Sequence, residues 1–371
     1  MPTWRTTHPS NFQEIMRPTR FFKVVAVICG LSVQVQAANP VPPPPVVPPA
    51  VPPAAPSGPT VVTLDERNTI PGLPVMTFFV RYPKGMTSKD KVNGVFANVT
   101  HLTQKATLEK WIKRPSSSDL NFQFADKYKL AVVTWTTATM YSISDSFVVD
   151  ADEERNPDNS MEQCFRTWKI GMDRLCRTYG LPENGYLIYG YSRGAQWAHR
   201  IALRSPEKFV AVHIHINSSY AEPSPEAAHC LWLLTTGELE HGNKAARLFF
   251  QKGLALNYPI LLRIYPGKAH ENFPEEEILG VKFFEYALKL KSQQLEADLA
   301  KMSSIRSAVP ESALPMILDE SLFGDFRHPP YVGDMLNGDV YPKAKEELLP
   351  ESQRVGIPTT EIAKSWGYFH P

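Results

Sequence analysis

The sequence is poor in features that would commit it to a membrane or to a polyanion. Lysine and arginine total 39 against 38 acidic residues, a net charge of +1, and no long basic run occurs. The electrostatic footprint of a nucleic-acid or anionic-membrane binder is therefore missing. The one marked apolar run, Val24 to Val35, is well short of the roughly 20 residues that a spanning helix needs. It follows Arg17, Arg20 and Lys23 and ends at Val35-Gln36-Ala37, the pattern of a secretory signal peptide cleaved after Ala37. No stable membrane insertion is expected after that cleavage, and Ile28 before Cys29 does not suit a lipoprotein anchor. Cysteine is scarce, and only Cys164, Cys176 and Cys230 remain beyond the leader. Cys164 and Cys176 fall twelve positions apart on one predicted helix, about 18 Å along its axis, too far to bridge each other. Either can pair with Cys230 in an oxidising compartment, or all three are small buried groups. No internal repeat and no His-Glu-x-x-His helix is present, which removes solenoids and that zinc chemistry.

Proline, by contrast, is plentiful: 34 in all, eleven of them in PVPPPPVVPPAVPPAAPSGP between Pro40 and Pro59. Such a stretch forms neither helix nor sheet and reads as an extended spacer. The chain then divides into a signal peptide (1–37), a proline-rich linker (38–60), a catalytic domain (61–300) and a C-terminal extension (301–371) that packs on it. In the third segment strand and helix patterns alternate. Strands are expected at Val75–Tyr82, Gly94–Val99, Leu130–Trp135, Gly185–Tyr189, Phe209–Ile216, Cys230–Thr235 and Ile260–Tyr265. Most are continuous apolar runs, as in strands covered on both sides. Helices are expected from Ser160 to Tyr179, from Ala195 to Arg204 and from Pro274 onward. The fold class is α/β: a mostly parallel sheet with helices on both faces.

Tyr186 to Gln196, YLIYGYSRGAQ, is the motif with chemistry. A strand ends at Gly190-Tyr191-Ser192-Arg193-Gly194 and a helix begins at once, so Ser192 sits on a sharp turn whose flanking glycines permit unusual backbone angles and close strand–helix approach. A serine hydroxyl needs a base, and His270 in PGKAHENF stands on the loop after the strand Ile260–Tyr265. The orienting acid belongs after the preceding strand, where GELE offers Glu238 and Glu240. Glu240, three residues past Gly237, has more freedom to swing toward His270; Glu238 is the alternative. His199 is expected to pack or meet solvent on the helix after the turn, and His213 and His215 share one strand face and read as core.

From Pro74 to Lys291 the chain resembles the α/β-hydrolase superfamily, most closely the dienelactone hydrolase and polyhydroxybutyrate-depolymerase-like serine esterases. The likeness rests on Gly190-Tyr191-Ser192-Arg193-Gly194-Ala195, on Gly237-Glu238-Leu239-Glu240, where the family usually has aspartate, and on Pro266-Gly267-Lys268-Ala269-His270. The resemblance implies a serine esterase with no metal and no cofactor. In it Ser192 attacks an ester carbonyl, His270 relays the proton, Glu240 steadies His270, and the Arg193 N–H receives the developing oxyanion. The Arg193 guanidinium either adds to that stabilisation or bonds a loop carboxylate. The second oxyanion donor belongs after the strand Gly94–Val99, where VFANVTHLTQ lacks the family's glycines. Val99 or Thr100 is then the amide donor, with the side chains of Thr100 and His101 as alternatives. The expected partner is an ester, including polymeric or polysaccharide-linked esters, met in the periplasm or outside the cell; a serine peptidase and a noncatalytic envelope or polymer-binding protein on the same scaffold are the other readings. The segments Thr136–Asn159 and Ser218–Ala228 are expected to set specificity. The C-terminal extension reads as a strap with a short helix from Thr360 to Trp366, anchored by Phe323, Phe326, Tyr331, Tyr341 and Trp366.

Overall fold

The computed structural model describes residues 60–66, 76–100, 104–137, 160–303 and 317–371. The leader, most of the proline-rich spacer, His101 and most of the expected specificity segment after Thr136 lie outside the described residues.

Eight strands form one sheet: β1 (Val61–Glu66), β2 (Met76–Arg81), β3 (Gly94–Val99), β4 (Leu130–Thr137), β5 (Tyr186–Tyr191), β6 (Phe209–His215), β7 (Leu231–Gly237) and β8 (Ile260–Tyr265). Their order is β1-β2-β4-β3-β5-β6-β7-β8; β2 runs antiparallel to both neighbours, and every pair from β4 to β8 is parallel. Every residue of β3, β6, β7 and β8 is buried, which is why these sequences are mostly apolar rather than alternating, with a few buried polar residues such as Asn98, His213 and Arg263 among them.

Among the described residues six helices accompany the sheet: α1 (Lys105–Ile112), α2 (Leu120–Tyr128), α3 (Ser160–Tyr179), α4 (Arg193–Arg204), α5 (Asn243–Ala255) and α6 (Pro274–Ser303). The Asp119 carboxylate caps α2 by accepting from the Asn121 and Phe122 N–H groups. Side-chain alternation along β5 assigns faces. Gly190 faces α4, whose Ala195 and Ala198 lie where a Cβ would stand, while Tyr189 lies beside His213, which abuts Gly280 of α6. The ring cluster Phe96, Phe124 and Phe284 joins β3, α2 and α6 on that second face. Cys164, Cys176 and Cys230 are free and buried, so the small-buried-group alternative describes them and no disulfide joins Cys230 to either helix cysteine.

Past α6 the chain departs from the expected strap. It forms α7 (Gly324–Arg327), β9 (Tyr331–Asp334), β10 (Asp339–Pro342), β11 (Arg354–Ile357), α8 (Thr360–Trp366) and β12 (Tyr368–Phe369), with the strands in a second sheet ordered β11-β9-β10-β12. Strands of two to four residues are too short to show a period-2 pattern, which is why the sequence reads as turns. Phe323 and Trp366 are buried anchors, whereas Tyr341 is half-exposed and stacks on His370. This small sheet covers the edge of β8: the Ile264 N–H donates to the Met335 carbonyl at 2.7 Å. Arg263, buried at that seam, donates to the carbonyls of Met335, Leu336 and Trp366 at 3.1, 2.7 and 3.1 Å. A buried cation without partners is expensive, and an unpaired sheet edge invites association. The C-terminal sheet resolves both.

Candidate active site

Chemistry-bearing side chains collect at the C-terminal ends of β5, β7 and β8. At the first, the strand stops at Tyr191 and the backbone turns at Ser192 with φ 57° and ψ −120°. A non-glycine residue there is strained, typically by about 1 to 3 kcal/mol. Surrounding bonds hold it: the Ser192 N–H donates to the His215 carbonyl at 3.0 Å, and its own carbonyl accepts from Ala195 and Gln196. The flanking glycines are dictated by space. A Cβ at Gly190 would lie 2.5 Å from the Gly194 carbonyl oxygen, and one at Gly194 would lie 1.9 Å from the Val99 carbonyl oxygen. Although Ser192 is the N-cap of α4, its hydroxyl makes no cap bond. It is left for another partner.

That partner is His270. Its Nε2 lies 2.7 Å from Ser192 Oγ, and its Nδ1 lies 2.9 Å from Glu240 Oε2. A carboxylate only accepts, so Nδ1–H donates to Glu240 and the Nε2 lone pair faces the serine hydroxyl. The environments differ sharply along this line: the Glu240 side chain is 1% exposed and that of His270 is 47% exposed. Glu238 takes another place. Its exposed carboxylate accepts from the Gly267 N–H at 2.9 Å and braces the Pro266-Gly267 turn. The acid loop and the histidine loop are further joined by the Leu239 N–H on the Lys268 carbonyl at 2.9 Å. Gly237 is required at this junction, because a Cβ would lie 2.3 Å from the Lys268 carbonyl oxygen.

The N–H groups of Arg193 and Gly194 open α4, where no intrahelical acceptor exists for them and the helix dipole favours negative charge. Val99 ends β3 opposite Gly190, and its carbonyl oxygen is the atom pressed against Gly194. Thr100 follows it, buried at the same rim. Arg193 is half-buried, and its guanidinium reaches no carboxylate among the described residues. Under α4, buried His199 accepts from the Ala221 N–H at 2.8 Å, and Gln196 donates to Ser218 Oγ at 2.7 Å, tying the segment after β6 to the helix. His199 therefore packs rather than meeting solvent, and desolvation holds its pKa well below the ordinary imidazole value.

The strand order, the elbow after β5, the acid loop after β7 and the histidine loop after β8 together decide the architecture. The chain has the α/β-hydrolase fold. No protein-family model matches the sequence, and no curated protein matches it. Solved structures similar to this chain include an S-formylglutathione hydrolase from Agrobacterium tumefaciens, at 14% identity over 63% of this chain and 96% of that one, with a TM-score of 0.46. A thermostable esterase matches at 14% identity over 56% of this chain and 54% of its own, with a TM-score of 0.43. A Bacteroides ovatus protein of the dipeptidyl aminopeptidase IV type matches at 12% identity over 63% of this chain and 36% of its own, with a TM-score of 0.45. The chain thus spans about a third of that last protein's length and about half of the thermostable esterase's. These are likenesses only and carry nothing about substrate.

Sequence reasoning missed one group at this rim. Glu276 is fully buried beside His213 and His215. It belongs to a Pro-Glu-Glu-Glu helix start, where acidic residues ordinarily complement the dipole in solvent, so nothing in the sequence singles it out. Ile216, a β-branched residue at φ 52°, is likewise invisible to pattern reading.

Proposed function

We propose that the protein is an exported serine hydrolase that cleaves carboxylic esters through an acyl-enzyme intermediate. The observation that carries this reading is the unbroken hydrogen-bonded line from Ser192 through His270 to the buried Glu240. Ser192 Oγ attacks the ester carbonyl carbon while its proton passes to His270 Nε2. The charge forming on the carbonyl oxygen meets the Arg193 N–H at the start of α4, with Thr100 at the end of β3 as the second donor; one such donor is worth about 3 to 4 kcal/mol. The imidazolium, stabilised by Glu240, returns the proton to the departing alcohol. Water then attacks the acyl-serine by the same route, giving the carboxylic acid and free enzyme.

Export rests on the signal-peptide pattern, and with the proline-rich spacer it suits large external esters, such as polyesters or polysaccharide-linked esters. The half-exposed imidazole keeps the reacting atoms within reach of such a substrate. The test is hydrolysis of a short-chain p-nitrophenyl ester together with covalent labelling by a fluorophosphonate. The wild-type protein is expected to do both, and Ser192→Ala is expected to lose labelling altogether and to reduce turnover about 10⁶-fold. Equal labelling of the two proteins overturns the reading in favour of a noncatalytic role for the scaffold.

A further inference from the structure

Beneath the Ser192–His270–Glu240 line lies a second set of polar side chains that the proposed reaction does not use. His213 and His215 of β6, Thr235 of β7 and Glu276 of α6 are each at most 1% exposed. Their hydrogen bonds have only one consistent direction. His215 Nε2 lies 3.3 Å from the Glu271 carbonyl oxygen, and a carbonyl only accepts, so this nitrogen carries the proton. In the neutral ring Nδ1 is then an acceptor, and it receives the Thr235 hydroxyl hydrogen at 2.9 Å. The Thr235 oxygen, having given its hydrogen away, accepts from His213 Nε2–H at 2.9 Å. Glu276 Oε1 stands 3.1 Å from that same nitrogen, off the axis of a good hydrogen bond. Burial favours the neutral form of all three titratable groups, raising the Glu276 carboxyl and lowering both imidazoles. The donors therefore run one way, from His213 through Thr235 and His215 to the carbonyl of Glu271.

Glu271 is the residue after His270. Upstream of the imidazole, the loop is fixed by Glu238 on Gly267 and by Leu239 on Lys268. Downstream, the described side chain that holds the backbone is His215. The same ring stacks on Tyr191 at 5.5 Å and meets Phe273 edge-on at 5.1 Å, and Tyr191 in turn lies 5.9 Å from the His270 ring. Movement of the Glu271 carbonyl would carry the His270 imidazole with it, and that imidazole must stay within 3 Å or so of a strained serine.

We infer that His215 is a positioning residue for His270, acting through a one-directional hydrogen-bond relay that pins the Glu271 carbonyl. The inference rests on the proposed serine-hydrolase reading. His215→Phe keeps the ring packing and removes the donor, while His215→Gln restores an N–H near the position of Nε2. In the full chain, His215→Phe is expected to lower kcat for a p-nitrophenyl ester and the fluorophosphonate labelling rate by about 100-fold, the cost of misplacing a reacting group by about 1 Å. KM should stay within about threefold, since no substrate contact changes, and His215→Gln should recover most of the rate. Thr235→Val, which breaks the relay on the other side of the ring, gives the same test where His215→Phe does not fold; its expected loss is about tenfold, one hydrogen bond's worth. Wild-type rates in a folded His215→Phe or Thr235→Val protein, or equal losses in His215→Phe and His215→Gln, overturn the inference. Absence of wild-type labelling at Ser192 overturns the underlying reading instead, so the two failures are distinguishable.

Discussion

Two histidine–glutamate pairs in this protein have opposite characters. His270 and Glu240 lie 2.9 Å apart with the imidazole half in solvent and aimed at a serine. His213 and Glu276 lie 3.1 Å apart with both partners sealed in the core. In the first pair only the acid is desolvated, and the imidazole stays within reach of water. In the second pair both members are desolvated, and the neutral forms win. Residue identity and separation are nearly the same; solvent access on one side is what separates the two pairs, and under the proposed reaction it separates a proton carrier from a brace.

The comparison can be broken most severely at the acids. Glu240→Gln is expected to cost about 10⁴ in kcat, because an amide favours the wrong imidazole tautomer, whereas Glu276→Gln, which replaces one neutral group by another, should keep kcat within about tenfold. Steady-state assays on the two purified variants check this, and similar losses would erase the distinction. A smaller effect is expected at Glu238. Glu238→Ala removes one bond to the Gly267 turn and should cost about three- to tenfold in kcat; a loss equal to that of Glu240→Gln would transfer the orienting role to Glu238.

The smallest effect is on stability against pH. His199, His213 and His215 are held below the ordinary imidazole pKa of 6.5, His215 at about 3. Between about 3 and 6.5 the unfolded chain therefore binds more protons than the folded one, and stability falls as pH drops through that window. Glu276 has the opposite sign: its folded pKa lies above 4.5, so the folded chain binds the extra proton and stability falls as pH rises past 4.5. Three imidazoles outweigh one carboxyl below pH 6.5. Urea midpoints at pH 5 and pH 7 should show a lower value at pH 5, with a smaller difference in His215→Phe; an unchanged difference would mean that the ring is not buried as a neutral group.

Much of this arrangement was legible before the fold was known, and the illegible part has definite causes. Long buried strands announce themselves because most of their residues are apolar, and β3 and β8 occupy the ranges that their sequences suggest. The glycines at 190 and 194 mark a tight turn because nothing larger fits. Choosing between Glu238 and Glu240 from spacing alone is harder, since both follow the same strand; what separates them here is which carboxylate turns inward, a tertiary matter. β1 and the C-terminal sheet escape sequence reading because their strands are peripheral or very short. The relay under His270 escapes it because its donors on β6 and β7 and its final acceptor in the loop after β8 are far apart in the sequence.

Arg263 draws its acceptors from residues as distant as Trp366. A ribosome must therefore have carried the chain at least as far as Trp366 before this guanidinium finds its last carbonyl. Until then β8 keeps a bare rim and a cation short of most of its acceptors, so completion of this body waits on a segment 72 to 103 residues further along the chain. Shortening the chain before Met335 would make that delay permanent.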